Sequence, residues 1–326
     1  MQSTAAFSST GATAGAVLVL GTGGTIAGVA PDPQHAATYE AAQLGVQQLV
    51  QAVPALASVP LRAEQVAQVD SKDMGPAVWW ALAQRVSAAL IDPAVRGVVI
   101  THGTDTLEET SYLLSRVFAA DHKPVVLTAA MRPANAPDAD GPQNLLDAVT
   151  LAGHAGASGV MVVMQGRVWA GAQVRKLHTQ AIDAFGTASA SPLGWVQRGL
   201  VRMQAPWPAL GGGQRALGVS VLTADWPRVE VVVSHAGADG RVVDLLAADG
   251  VQGLVVAGTG NGSVHQALEA ALRRAEAAGV RIQRASRVGQ GAVTSRSPAR
   301  WGPAGDLSPA QARVALMLTL MAQAAR

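Results

Sequence analysis

Four side chains able to do acid–base or nucleophilic chemistry follow one apolar run of the sequence. The run, residues 98–100, is entirely β-branched, which is typical of a buried parallel strand. Thr101, His102, Thr104 and Asp105 come directly after it. In open α/β sheets, ligands bind where parallel strands end. These side chains are therefore candidates for a catalytic or binding site.

A purely structural interpretation competes with this one. Thr106 and Glu109 have the spacing of a capping box, which predicts that a helix begins here. Asp105 and the threonines could then serve only to cap that helix. The segment by itself leaves both interpretations open.

A second apolar run, residues 17–20, ends in a glycine-rich loop that carries Thr22 and Thr25. The loop is not a dinucleotide-binding fingerprint, because Ile26 stands where the third glycine is required. It is not a phosphate-binding loop either, because no lysine follows it. A flexible loop that presents the hydroxyl of Thr25 remains.

Strands and helices alternate along the 326 residues, which predicts an α/β fold. We expect a larger N-terminal parallel-sheet domain of flavodoxin/Rossmann-like type and a smaller C-terminal α/β domain. Prolines and a Gly-Gly-Gly run predict an interdomain linker at 201–225, between domains at 16–200 and 226–326. Residues 1–15 have the small, polar composition of a disordered tail.

The composition argues against several classes of function. The net charge is +2 and no basic run occurs, which argues against nucleic-acid binding. The absence of cysteine excludes disulfides and thiol nucleophiles. No apolar stretch is long enough to span a membrane, and the N-terminus lacks a basic signal-peptide region, so we expect a cytoplasmic protein, or a periplasmic one if a signal peptide has been removed. Histidines show no metal-binding spacing, so we predict neither a metal nor a cofactor.

Lysine is scarce in this chain. It occurs only at Lys72, Lys123 and Lys176, against twenty-one arginines. A lysine can lose its proton when desolvated, whereas arginine stays charged. A lysine retained in such a sequence is therefore a candidate for proton chemistry.

The two loops and further segments together resemble the bacterial L-asparaginase family (asparaginase/glutaminase, two-domain type), from about Val17 to the C-terminal helix. The segments are TGGTIAG (22–28), VDSKDM (69–74), THGTDTLEET (101–110), KPVVLTAAMRP (123–133), DGPQNLLDAV (140–149), VRK (174–176) and GTGNG (258–262).

The resemblance implies a set of catalytic residues. Thr25 would attack the side-chain amide to form an acyl-enzyme, assisted by Tyr39 on a flexible flap. Thr104, Asp105 and Lys176 would form a hydrogen-bonded set that activates water or passes a proton. Which threonine attacks first is left open by the sequence.

The resemblance also implies substrate-binding residues. Ser71 would bind the α-carboxylate, Asp105 the α-amino group, and the backbone at Ala130 would face the amide. Asn261 matches the family in the C-terminal domain. Lys72 stands at a position that is more often neutral or acidic in relatives, which bears on side-chain specificity.

Two departures from the family lie in the C-terminal part. Relatives place a glutamate within 289–302 that reaches the substrate amino group across a subunit boundary, but this segment has no acidic residue and Pro298 stands there. Ser263 replaces a second asparagine.

The family implies a homotetramer, a dimer of dimers, in which C-terminal domains complete the sites of neighbouring subunits.

Three alternatives accompany the asparaginase interpretation. Glutamine, or both amides, could be the substrate. The missing glutamate and Ser263 motivate a non-catalytic amino-acid sensor. A nucleotide-binding α/β protein is disfavoured by the failed glycine fingerprints.

Overall fold

A computed structural model describes residues 15–35, 38–118, 123–208, 216–294 and 300–325. The predicted tail at 1–15 lies outside these residues except for Gly15, and so does Pro298. Among the residues described, no helix has the length and apolar character needed to cross a membrane.

Ten strands belong to the N-terminal part: β1 Ala16–Gly23, β2 Leu61–Val69, β3 Val95–Thr101, β4 Pro124–Thr128, β5 Gly159–Met164, β6 Arg167–Ala170, β7 Arg175–Lys176, β8 Phe185–Gly186, β9 Gly194–Gln197 and β10 Leu200–Met203. Eight of them form one sheet, in the order β10-β9-β6-β5-β4-β3-β1-β2. Strands β1 to β5 pair in parallel, and β6, β9 and β10 extend the sheet with antiparallel pairing. Strands β7 and β8 form a separate two-stranded sheet.

Four helices cover the two faces of this sheet: α1 Val46–Gln51, α2 Pro76–Ile91, α3 Leu107–Val117 and α4 Gly141–Ala152. Side chains alternate between faces along a strand. Accordingly Leu18 and Leu20 pack with α2 and α3, whereas Val17 and Val19 pack with α1 and α4. Because both faces are buried, the strand reads as a continuous apolar run.

A three-stranded parallel sheet forms the C-terminal part, from β11 Val229–Val233, β12 Gly253–Gly258 and β13 Arg281–Ser286. Helices α5 Arg241–Ala248 and α6 Gln266–Ala277 cover one face, and α7 Pro309–Ala324 covers the other. Helix α7 also packs against α3, so one apolar cluster is continuous between the two sheets. The predicted α/β fold, with a large parallel-dominated sheet and a smaller C-terminal α/β unit, is confirmed.

The predicted linker starts too early in the chain. Its first residue, Val201, pairs with Val196 inside the β9–β10 hairpin, so the sheet continues to Met203. On the other edge of the sheet, helix α1 begins only at Val46. Residues 42–44 instead donate backbone hydrogen bonds to the carbonyls of Gly24 and Ala27, which hold them against the glycine loop.

Candidate active site

Three loops meet in close contact at the carboxyl edge of the large sheet. Strands β1 and β3 are parallel neighbours, so the loops that follow them lie side by side. A Cβ at Gly24 would lie 2.2 Å from Gly103 Cα, and a Cβ at Gly103 would lie 2.3 Å from Ser71 Oγ. Gly24 also has φ +81°, which L side chains rarely adopt. Glycine at these positions therefore lets the loops that carry Thr25 and Thr104 approach each other.

Thr25 pairs with the tyrosine of the flap. Its side chain is almost fully buried in a short 3-10 turn, and its Oγ1 lies 2.7 Å from Tyr39 Oη, where either oxygen can donate. An antiparallel bridge joins Val29, which follows the turn of Thr25, to Glu40, which follows Tyr39. Tyr39 itself is 37% exposed, so it covers Thr25 from the solvent side.

The base of the flap is fastened by one amide side chain. Asn135 Oδ1 accepts from Ala30 N at 2.9 Å, and Asn135 Nδ2 donates to Ala30 O at 2.8 Å. Ala134 N adds a bond to Gly28 O at 2.8 Å. The segment between Thr25 and the flap is thus held to the loop that follows β4.

The second threonine belongs to a lysine-centred group. Lys176 Nζ donates to Thr104 Oγ1 at 2.9 Å and to Asp105 Oδ1 at 2.6 Å. The Lys176 side chain is 19% exposed, whereas that of Asp105 is 55% exposed. Because the lysine donates to Thr104, the hydroxyl hydrogen of Thr104 is free to be donated to another group.

A cavity of about 560 Å³ brings the two groups together. Its lining includes all five predicted catalytic residues: Thr25, Tyr39, Thr104, Asp105 and Lys176. The volume is within the range of small-molecule sites. Two hydroxyls, each hydrogen-bonded to a group that can take part in proton transfer, therefore face one cavity large enough for a small substrate. Hydrolysis of an amide requires such a nucleophile and proton carrier.

Arg132 and Asp138 also line the cavity, and sequence reasoning did not single them out. Arg132 Nε donates to Asp138 Oδ2 at 3.3 Å, and Arg132 Nη1 donates to Gln180 O at 3.1 Å. Arg132 lies in the KPVVLTAAMRP segment, so the similarity of that segment to the family could have identified it as a candidate site residue. A larger cavity of about 950 Å³, between α4 and the β9–β10 hairpin, shares Asp138 but none of the predicted catalytic residues.

Ser71 is buried where the three loops meet. Its Oγ accepts from Asp105 N at 3.2 Å, and its carbonyl accepts from Thr106 Oγ1 at 2.7 Å. Thr106 is the N-cap residue of α3, but its side chain makes no capping bond, so the predicted capping box with Glu109 is wrong. The hydroxyl instead fastens the start of α3 to the loop after β2.

Of the predicted binding residues, only Asp105 is among the described residues that line the cavity. Ala130 is fully buried at the end of β4, next to Met131, which does line it. Lys72 Nζ pairs with Asp70 and Asp73, and its side chain is 62% exposed. Asn261 exchanges hydrogen bonds with Thr294 near the second sheet. Their roles in binding stay predictions.

His102 supports the loop that carries Thr104. It is fully buried, with Nδ1 2.7 Å from Gly103 O and Nε2 2.9 Å from Thr110 Oγ1. Thr110 Oγ1 accepts from Trp79 Nε1 at 2.8 Å and can donate its own hydrogen to Nε2. Burial lowers the pKa of His102 to about 4, so the ring is neutral at neutral pH. Its nitrogens are committed to these bonds, which favours a structural role for this histidine.

Two family comparisons account for nearly the whole chain. Residues 16–209 match the family described as "Asparaginase, N-terminal", and residues 228–326 match "Glutaminase/Asparaginase C-terminal domain". The chain belongs to the asparaginase family.

Individual asparaginases are similar over most of their length. The chain is 38% identical to "L-asparaginase 2" of Escherichia coli (strain K12), with 93% of this chain and 88% of that protein covered. It is 36% identical to "Glutaminase-asparaginase" of Pseudomonas fluorescens biotype A, over 93% of this chain and 86% of that protein. The solved structure of "Probable Cytoplasmic L-asparaginase from Campylobacter jejuni" is 35% identical, covers 94% of this chain and 95% of its own, and superposes with a TM-score of 0.88.

Within this asparaginase-family chain, the part of the sequence that the structure describes holds no group of three His, Cys, Asp or Glu residues able to bind a metal ion. The polar groups at the cavity are hydroxyls, amides, an amine, a guanidinium and carboxylates.

Proposed function

We propose that the protein hydrolyses L-asparagine to L-aspartate and ammonia through an acyl-enzyme on Thr25. One observation carries the proposal: the Thr25–Tyr39 pair and the Thr104–Lys176–Asp105 group face a single cavity. Membership of the asparaginase family and relatives named L-asparaginase support the choice of substrate.

In the acylation step, Thr25 Oγ1 forms a bond to the carbon of the side-chain amide. A threonine hydroxyl needs a neighbouring group to take its proton. Tyr39 Oη, at 2.7 Å, provides the route by which that proton leaves. The C–N bond then breaks, the proton reaches the departing nitrogen, and ammonia and an ester of Thr25 result.

In the deacylation step, water attacks the ester carbon. Lys176 holds Thr104 Oγ1 as an acceptor, so that hydroxyl can orient the water and pass its proton onward. The water oxygen becomes part of the aspartate carboxylate, and a proton returns to Thr25. Asp105 orients Lys176 and, being half exposed, also offers an oxygen to the substrate α-amino group.

Ammonia release from L-asparagine tests the overall reaction, and mass spectrometry tests the assignment of the nucleophile. The Thr25→Ala variant should be inactive. The Thr104→Ala variant should accumulate an aspartyl ester on Thr25, because deacylation is impaired. An adduct on Thr104 in the Thr25→Ala variant would instead identify Thr104 as the nucleophile. Absence of ammonia from folded wild-type protein with either amide would favour the sensor alternative.

A mixed glutaminase–asparaginase is the second candidate, since one relative bears that name. One methylene in a pocket is typically worth only about 1–3 kcal/mol of discrimination, or about 10–200-fold in kcat/KM. Comparing kcat/KM for L-asparagine and L-glutamine decides between them. A ratio near unity indicates the mixed enzyme.

The assembly and the location belong to the same proposal. We propose a homotetramer in which the C-terminal part of one subunit, including Asn261, completes the site of another. Sedimentation velocity tests the assembly, and an active monomer would contradict it. We also propose a cytoplasmic location. Relatives include one named as a probable cytoplasmic L-asparaginase and one named as a probable periplasmic L-asparaginase, so cell fractionation tests this proposal.

A further inference from the structure

One carboxylate joins the lysine of the site to the C-terminal helix. Glu108 lies in the first turn of α3, next to the loop that carries Thr104. Its Oε2 accepts the backbone N–H of Lys176 at 2.9 Å, and its Oε1 accepts from Ser308 Oγ at 2.8 Å. Both oxygens are thus occupied by groups that are distant in sequence.

The partner of Glu108 is the first turn of α7. Ser308 is the N-cap of that helix and forms a capping box with Gln311. Gln311 is fully buried, and its Nε2 donates to Val174 O at 2.9 Å. The first turn of α7 is therefore bonded to the segment of Lys176 at two points. Gln311 bonds directly to Val174, and Ser308 is linked through Glu108 to the backbone of Lys176.

The residue between these two is held from the C-terminal part as well. Arg175 is buried, and its Nη1 donates to Gly289 O at 3.1 Å. Strand β7 has two residues, and within the part of the chain that the structure describes its strand partner is the equally short β8. So short a ladder leaves the backbone position of Lys176 dependent on these additional contacts.

We propose that Glu108 is a positioning residue, which uses the first turn of α7 to hold the backbone of Lys176 where its Nζ reaches Thr104 and Asp105. The inference rests on the proposed function, since it gives the lysine its catalytic importance. A misplacement of about 1 Å can reduce turnover about a hundredfold. Glu108 is not itself among the residues that line the cavity, and its described bond to Lys176 is to the backbone N–H rather than to Nζ, so its effect passes through the lysine backbone.

The chain supplies a matched control in the next residue. Glu109 lies on the same turn of α3 and faces the same helix, with Oε2 3.9 Å from Arg313 Nη1, but it has no bond to Lys176 among the contacts described. Glu108→Ala and Glu109→Ala therefore both remove a carboxylate between α3 and α7. Only the first releases the backbone of Lys176.

We expect Glu108→Ala to lower kcat about 10- to 100-fold with little change in KM, because positioning of the reacting group is lost rather than substrate binding. Glu108→Gln should recover most of the loss, since its amide oxygen can still accept the Lys176 N–H. Glu109→Ala should stay within about threefold of wild type. In a Lys176→Met background, Glu108→Ala should cause no further loss, because the two residues act as one unit.

Crystal structures of the two alanine variants provide a readout besides activity. In Glu108→Ala, Lys176 Nζ should move out of hydrogen-bond range of Thr104 Oγ1, whereas in Glu109→Ala the 2.9 Å contact should persist. An unchanged contact and unchanged kcat in Glu108→Ala would overturn the inference, as would equal losses in both variants. If wild-type protein hydrolyses no amide, the proposed function fails while the two structures still decide the positioning role. If Glu108→Ala does not fold, Glu108→Gln and Ser308→Ala, which removes the other partner of the carboxylate, are compared in its place.

Discussion

Lys176 is placed to do chemistry that arginine cannot do. Its single amine reaches both a threonine hydroxyl at 2.9 Å and a carboxylate at 2.6 Å from a largely buried position. The chain uses arginine at twenty-one positions, so charge alone does not explain a lysine here. An amine can release and regain a proton during turnover, whereas a guanidinium stays protonated.

Replacing Lys176 by Arg tests this argument at the scale of one residue. We expect kcat for asparagine to fall by roughly 100-fold or more, because the loss of a positioned proton carrier typically costs about 10²–10⁴ in rate. KM should change much less. Steady-state ammonia release measures both constants.

The matched control is Lys123→Arg. Lys123 Nζ donates to the carbonyl of Asp92 at 2.6 Å and does not line the cavity, so that variant should keep wild-type turnover. Near-normal kcat in Lys176→Arg would show that only a positive charge is required at the site.

At the scale of elements, the site depends on how closely three loops can pack. The ends of β1 and β3 bring Thr25 and Thr104 to one edge, and Gly24 and Gly103 allow their loops to touch. The base of the flap is fastened separately by Asn135. At Gly24 an added Cβ would collide with backbone atoms of the neighbouring loop, which cannot turn aside as a flexible side chain can.

Gly24→Ala should therefore disrupt both stability and activity. The added Cβ would lie 2.2 Å from Gly103 Cα, at a residue with φ +81°. We expect a loss of at least about 2 kcal/mol in the free energy of unfolding, together with a large loss of kcat. Denaturant titration and ammonia release measure the two effects.

Gly75→Ala serves as the comparison. Nothing lies within 4 Å of a Cβ at Gly75, and its φ of −151° suits any residue. Because Gly75 is only the N-cap of α2, the substitution should cost less than about 1 kcal/mol. Equal effects of the two substitutions would mean that close packing at Gly24 is unimportant.

At the scale of the whole molecule, α7 joins the two sheets in one apolar cluster. The free energy of unfolding also depends on pH where a carboxyl group is buried. Asp147 on α4 is such a group. Burial raises its pKa from 3.8 to about 6, and the hydrogen bond from Gln143 Nε2 only partly opposes this. Between about pH 4 and pH 6, the Asp147 carboxyl is therefore protonated in the native state but ionised in the unfolded chain.

Stability should accordingly decrease as the pH rises from about 4 to above 6. Asp147→Asn removes that penalty, so we expect the variant to gain about 1–2 kcal/mol over wild type at pH 8 and nothing below pH 4. Denaturant titrations across this pH range measure the difference. Asp183→Asn, at a carboxylate whose side chain is 63% exposed, is the comparison at an exposed site. A pH-independent difference for Asp147→Asn would contradict the assignment.

The assembly can be tested by mixing two inactive variants. If C-terminal parts complete neighbouring sites, Thr25→Ala and Asn261→Ala subunits refolded together should regain about a quarter of wild-type sites, because one site of each mixed pair carries both native residues. Ammonia release before and after mixing measures the gain. Sites built within one chain would regain nothing.

Local patterns in the sequence determined the alternation of strands and helices and the placement of the two threonines. Strand periodicity, an apolar run followed by a turn, and glycines that accept unusual geometry all act over a few residues. For that reason Thr25, Thr104 and Asp105 could be assigned to strand ends, and the scarcity of lysine drew attention to Lys176.

Only the tertiary structure decided which partners several other polar and strand residues have. Thr106 bonds to Ser71 rather than capping its helix, Lys72 pairs with acids away from the cavity, and Val201 continues the sheet through its hairpin with Val196. Glu108 reaches Lys176 and Ser308 across 68 and 200 residues of sequence. A polar side chain has several local ways to satisfy its hydrogen bonds, and the choice among them depends on which distant segments the packed core brings within reach.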